Sequence, residues 1–252
     1  MSTPTRLDYG TDPAQFVELT LPAETGPRGT VVVIHGGFWR SRYDLALGRP
    51  LAAALAAAGY AAWNIEYRRV GTGGGWPATF DDVAAAVDLL ADQEWLDADR
   101  VVAVGHSAGG HLAAWLAARP GLPAGVPGAD PRVRLRGAVS QAGVLDLVDA
   151  VRNGVGRGAV EDLLGGLPGD APYDLASPAE RLPVGVPVVC VHGDADVNVP
   201  LRQSERYVAA AQAAGDPAEL VVLPGVEHFA VIDPATAAWQ ACASGIERVI
   251  DG

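Results

Sequence analysis

Two rhythms of apolar and polar residues alternate along this chain. Thr30–Ile34 and residues 100–104, 135–140 and 187–191 are short, mostly unbroken apolar runs, the pattern of strands covered on both faces. Residues 60–67 and 219–223 read as further strands, and residues 16–21 alternate apolar with polar, as an edge or antiparallel strand does. Between these runs lie stretches with helical spacing: residues 45–58, stopped by Gly59; 80–90; 107–118, ended before Pro120; 201–214; and 235–250. Strands alternating with such helices predict an α/β fold with a mostly parallel central sheet and helices on both faces. Residues 143–183 break the alternation with mixed loop and helix signals. That is long for a connection in a compact fold, so a small lid or cap insertion is expected there, within one domain spanning 1–252.

Composition narrows the class. The 252 residues are 49% hydrophobic and 19% charged, which suits an ordinary globular core. A formal net charge of −12 argues against nucleic acid or an anionic membrane as partner, because both reward a basic patch. Cys190 and Cys242 fall in an apolar strand and an apolar helix and read as buried reduced thiols. Met1-Ser2-Thr3-Pro4-Thr5-Arg6 leads into no apolar core of the kind a secretion signal carries. Residues 51–63 are too short, and too interrupted by Gly59, to span a bilayer. The expected setting is the cytoplasm.

The chemistry begins at Gly105-His106-Ser107-Ala108-Gly109, Gly-x-Ser-x-Gly placed where a buried strand turns into an alanine-rich helix. A serine held in such a turn is a candidate nucleophile, and it needs a base, a carboxylate to orient the base, and donors for an oxyanion. Of the five histidines, His228 lies in a loop between the last strand and the last helix, where it can lean over the sheet edge that carries Ser107. His111, one turn beyond Ser107, is expected to pack locally. His35, His106 and His192 end strands, but no His-x-His pair or carboxylate spacing supports a metal site. The acid candidates are Asp194 and Asp196 in His192-Gly193-Asp194-Ala195-Asp196, with Asp146 as an outsider. Asp196 lies further into the loop and can reach His228, whereas Asp194 suits a turn-stabilising role through its own backbone. His35-Gly36-Gly37-Phe38-Trp39 follows the strand Thr30–Ile34, and glycines there let backbone N–H groups approach a substrate.

Together these segments resemble the α/β-hydrolase superfamily over nearly the whole chain. The likeness is greatest to the compact esterase and lipase branch whose oxyanion loop reads His-Gly-Gly-aromatic-Trp; that branch includes arylformamidases and borders prolyl-oligopeptidase-type catalytic domains. Carried over position by position, the resemblance implies Ser107 as nucleophile, Asp196 as acid and His228 as base. It implies Gly37, Phe38 and Ala108 as the oxyanion N–H donors. The third glycine of the related His-Gly-Gly-Gly loop is Phe38 here, which keeps the donor and narrows the pocket beside it.

Trp39, Trp76 and Phe229, in loops gathered at the same edge, are the expected substrate-binding aromatics, and Arg40, Arg68 and Arg69 are possible carboxylate anchors. The glycines of 154–158 follow no buried strand and are not read as a dinucleotide site, and residues 71–75 read as a flexible active-site wall. The expectation is a serine hydrolase, monomer or homodimer, that cleaves a small-molecule carboxylic ester or amide through an acyl-enzyme without cofactor or metal. The rivals are an arylformamidase acting on N-formylkynurenine-like substrates, a small peptidase or acyltransferase, and a ligand-binding relative without turnover.

Overall fold

The structure, a computed structural model, describes residues 3–23 and 26–252; Met1 and Ser2, part of the start read above for a leader, lie outside the described residues. Eight strands form one sheet: β1 (Thr5–Asp8), β2 (Phe16–Thr20), β3 (Thr30–Ile34), β4 (Ala61–Ile65), β5 (Val101–His106), β6 (Gly137–Gln141), β7 (Val188–Gly193) and β8 (Ala218–Leu223). Their spatial order is β1-β2-β4-β3-β5-β6-β7-β8. β2 runs antiparallel to both β1 and β4, and the remaining pairs are parallel. The parallel strands are the apolar runs of the sequence. β1 has no counterpart in that pattern, because its mostly exposed Thr-Arg-Leu-Asp is held by pairing with β2 rather than by burial.

The helices are α1 (Arg49–Ala57), α2 (Ala78–Asp88), α3 (Ala108–Ala118), α4 (Leu147–Arg152), α5 (Ala159–Leu164), α6 (Tyr173–Ala176), α7 (Arg202–Ala213) and α8 (Ala237–Asp251). Side chains alternate across each strand and so feed two layers. Val31 and Val33 of β3 pack with Leu51 and Leu55 of α1 and Ile246 of α8. Val32 and Ile34 face the other way, toward Phe80 of α2 and Leu112 and Trp115 of α3. Each such fully buried side chain contributes ~1.5–3 kcal/mol. Among the described residues, no helix is long and apolar enough to cross a membrane.

Residues 143–183 contain α4, α5 and α6 and pack down onto the rest. Val160, Leu163 and Tyr173 enter the same core as α2 and α3. Trp115 donates its indole N–H to Leu175 O at 2.9 Å, and Trp76 N–H reaches Leu163 O at 2.6 Å. α3 is therefore covered on both sides, and every one of its residues is buried. That explains its apolar character all round.

Strand order also locates the site. From β3 the chain moves outward to β4, then returns to β5 on the opposite side of β3 and continues through β6 to β8. The carboxyl ends of β3 and β5 thus flank a topological switch point, the crevice where open parallel sheets bind ligands.

Candidate active site

Ser107 follows β5 with φ 56° and ψ −117°, a conformation that disfavours a side chain. The neighbouring glycines make the turn possible. A Cβ on Gly105 would collide with the Gly109 carbonyl, and one on Gly109 would collide with the Ile34 carbonyl. Ser107 N–H is held by Gln141 O of β6 at 2.8 Å. Ala108 opens α3, so its N–H belongs to the first-turn donors that have no partner within the helix.

The loop after β3 lies against this turn. A Cβ on Gly36 would come within 2.7 Å of His106 O and 3.2 Å of Ser107 Cβ. Gly37, Phe38 and Trp39 then take φ values of 119°, 54° and 57° in succession. Among the described residues, six non-glycines have positive φ, and Phe38, Trp39, Ser107 and Ala142 are four of them, all just past β3, β5 or β6. Such residues cost ~1–3 kcal/mol each, so their gathering at one sheet edge marks where the fold sustains strain.

Asp196 and His228 meet from two different loops. His228 Nδ1–H donates to Asp196 Oδ2 at 2.6 Å, a short charge-assisted bond that leaves Nε2 with its lone pair. The other carboxylate oxygen accepts Asn198 N–H at 2.8 Å and Val199 N–H at 2.9 Å. His192 sits behind, with Nε2 at 3.3 Å from Asp196 Oδ2 and 2.9 Å from Val199 O, while Nδ1 accepts from Ser204. Burial alone would raise the Asp196 carboxyl, but the hydrogen bonds from His192, His228 and Val199 hold it well below the usual carboxylate range. His106, adjacent to Ser107, donates from Nε2 to His228 O at 2.9 Å and places its ring 4.4 Å from the His228 ring.

Several expected roles change. Trp39, expected to face substrate, is fully buried and donates its indole N–H to His111 Nδ1 at 3.1 Å; it supports the loop from beneath. Trp76 packs edge-on against Phe80, whereas Phe229 is 45% exposed beside His228. The three possible carboxylate anchors are already paired: Arg40 with Asp162, Arg68 with Asp82, and Arg69 with Glu66. Asp146 caps α4 and pairs with Arg206, away from His228. Asp194 accepts Gly225 N–H at 2.6 Å, so it ties the acid loop to the histidine loop rather than stabilising its own turn. Glu66, beneath the loop after β3, was missed; its only signal is a charge at the end of an apolar strand.

Two buried histidines predict acid sensitivity. Burial, with His228 nearby, pulls His106 down to about 3, and burial pulls His111 down to about 4. An unfolded histidine titrates near ~6.5. Between these values the unfolded chain binds protons that the folded chain does not, so stability falls as pH drops below ~6.5. Each histidine should contribute a loss of ~1.4 kcal/mol per pH unit. Urea unfolding at pH 7 and pH 5 tests this. His111→Gln, which can keep both the Trp39 and Ala176 bonds, should lose less stability on acidification than the wild type; an unchanged loss would show that His111 is not responsible.

The BD-FAE family pattern matches residues 17–210. The chain belongs to the BD-FAE family. This is a family of the α/β-hydrolase superfamily, and the eight-stranded sheet agrees. The apo form of Thermogutta terrifontis esterase 2 superposes with a TM-score of 0.80 at 25% identity, covering 100% of this chain and 95% of that one. A truncated carbohydrate esterase from gut microbiota gives 0.82 at 22% identity, over 100% and 97% of the two chains, and attests the fold. The probable carboxylic ester hydrolase LipM of Mycobacterium tuberculosis is 30% identical over 87% of this BD-FAE chain and 53% of its own length. The isoprenylcysteine alpha-carbonyl methylesterase ICME of Arabidopsis thaliana is 25% identical over 87% and 55%. The chain thus spans about half the length of the curated relatives it matches.

Proposed function

We propose that this BD-FAE protein is a serine carboxylesterase for small esters, acting through an acyl-enzyme. The observation that carries the reading is the Asp196–His228 bond of 2.6 Å, with His228 held against His106, the residue that precedes the strained Ser107. Ser107 Oγ attacks the ester carbonyl as His228 Nε2 takes its proton. The same proton then goes to the leaving alcohol, and water repeats the sequence on the acyl-enzyme to release the acid. Asp196 fixes the His228 tautomer and stabilises the imidazolium that forms. The N–H groups of Gly37, Phe38 and Ala108 receive the negative charge that develops on the carbonyl oxygen. An esterase phosphonylated by sarin, 25% identical over 98% of this chain, has the same fold and supports a serine mechanism.

Residues 143–183 serve as a packed cap on one catalytic domain. Arg40 bonds Asp162 at 2.6 Å, and a Cβ on Gly156 would lie 2.8 Å from the Phe38 ring, so cap and oxyanion loop are fitted together. With Phe38 wedged there and Ser107 only 2% exposed, the site favours a short acyl group. The unpaired cysteines Cys190 and Cys242 fit a reducing compartment, and we assign the activity to the cytoplasm on that ground.

The test is kcat/KM on p-nitrophenyl acetate through octanoate beside N-formyl-L-kynurenine. Acetate or propionate should lead, with the longer esters falling away. A formamide rate ~100-fold above every ester, equivalent to ~2.7 kcal/mol of transition-state stabilisation, would replace carboxylesterase with arylformamidase.

A further inference from the structure

Glu66 lies just past β4, is 3% exposed, and takes no part in the chemistry proposed above. A buried carboxylate without partners costs several kcal/mol. This one is surrounded by donors. Its Oε1 lies 3.1 Å from His35 Nε2, 2.9 Å from Tyr67 N–H and 3.2 Å from the Arg69 guanidinium, while Oε2 accepts Leu45 N–H at 2.9 Å. Burial pulls the carboxyl upward, yet these bonds, His35 first, hold it below its ordinary value.

The partners are not a random set. His35 begins the loop that carries Gly37 and Phe38, and Leu45 lies at that loop's far end, so one carboxylate pins both ends. Arg69, paired with Glu66, also donates to Tyr43 O within the same loop. The His35 ring stacks on Tyr67 at 4.4 Å, and the Tyr67 hydroxyl donates to His35 O at 2.9 Å. His35 Nδ1 faces Gly36 O at 2.8 Å, so both ring nitrogens face acceptors, an arrangement that suits a ring held by a negative partner.

We infer that Glu66 is a positioning residue for the oxyanion hole, fixing the loop 35–45 at both ends so that the Gly37 and Phe38 N–H groups are aimed before substrate arrives. The inference rests on the esterase reading. Strained loops relax unless something over-determines them, and an oxyanion donor displaced by a fraction of an ångström loses most of its effect.

The test compares Glu66→Gln with the wild type and with Tyr9→Phe. Tyr9 donates to the backbone carbonyl of Glu66 at 2.6 Å. Tyr9→Phe thus keeps the ring, removes that one hydrogen bond and leaves the carboxylate's own bonds in place, and it reports a loss of local stability alone. Glu66→Gln should lower kcat by ~10²-fold with KM within ~3-fold, and should weaken a boronic-acid transition-state analogue by the same factor as kcat/KM. Affinity for the carboxylate product should stay unchanged. Tyr9→Phe should melt earlier and keep wild-type kcat. Should Glu66→Gln fail to fold, His35→Asn cuts the same tie from the loop side and should show the same loss confined to kcat. The inference is overturned if the folded variant turns over within ~3-fold of wild type, or if its loss only matches a fall in titratable active sites. A wild type without Ser107-dependent ester hydrolysis overturns the esterase reading and this inference together, whereas an active wild type with an indifferent Glu66→Gln overturns the inference alone.

Discussion

Ser107→Gly is expected to be inactive and more stable than Ser107→Ala. Ser107 adopts φ 56° and ψ −117°, where any Cβ is strained and glycine is at ease. Both variants lose the hydroxyl, so ester turnover should drop by at least ~10⁴-fold toward the rate supported by binding and oxyanion donors alone. Only glycine releases the backbone. Glycine also raises the entropy of the unfolded chain, which offsets part of the gain, and a net difference of ~1 kcal/mol over alanine should remain. In a chain of this size that is a melting-point difference of ~2–4 °C. Calorimetry on the two variants decides it, and equal melting points would mean that the turn carries no strain. The proposed nucleophile is thus held in a conformation that a side chain disfavours.

Asp196→Asn carries the second large expectation. The amide can still accept from Asn198 N–H and Val199 N–H through its oxygen, so the loop should keep its shape. Its NH₂ then faces His228 Nδ1, which must become the acceptor, and the ring's proton moves to Nε2, where it blocks proton transfer from Ser107. A fall in kcat of ~10⁴-fold should follow at neutral pH, with little change in KM. The folded Asp196 carboxyl titrates below its ordinary value, so its stabilisation is fully present above ~4 and lost as pH falls through the folded value. The variant should therefore be less stable than wild type at pH 7 and converge on it in acid. A variant that keeps more than a tenth of the activity would transfer the acid role elsewhere. Asp146, already bound to Arg206, is poorly placed to take it.

What the sequence made legible follows from the range of each interaction. The parallel strands β3, β5, β6 and β7 are buried on both faces and announce themselves as apolar runs. Ser107, Asp196 and His228, the proposed triad, could be singled out because such chemistry dictates residue types at the ends of recognisable strands, and the fold brings Asp196 and His228 within 2.6 Å. β1 was not, since its stability comes from backbone pairing with β2 and leaves no side-chain pattern. Arg40 looked available because its partner, Asp162, is 122 positions away in a segment whose three short helices carry little periodicity. Trp39 stands in a loop, and nothing local indicates that His111 draws its indole into the core. Glu66 is invisible for the same reason: its importance lies in where His35, Leu45 and Arg69 converge, and only the fold brings them there.

The most direct measurement of the central claim is intact-mass and peptide analysis after exposure to a fluorophosphonate probe. An activated serine with an assembled triad should take up one equivalent on the peptide containing Ser107, and Ser107→Ala should take up none. A folded wild-type protein that stays unlabelled, or that is labelled at another serine, would contradict the assignment of Ser107 as the nucleophile of this BD-FAE protein.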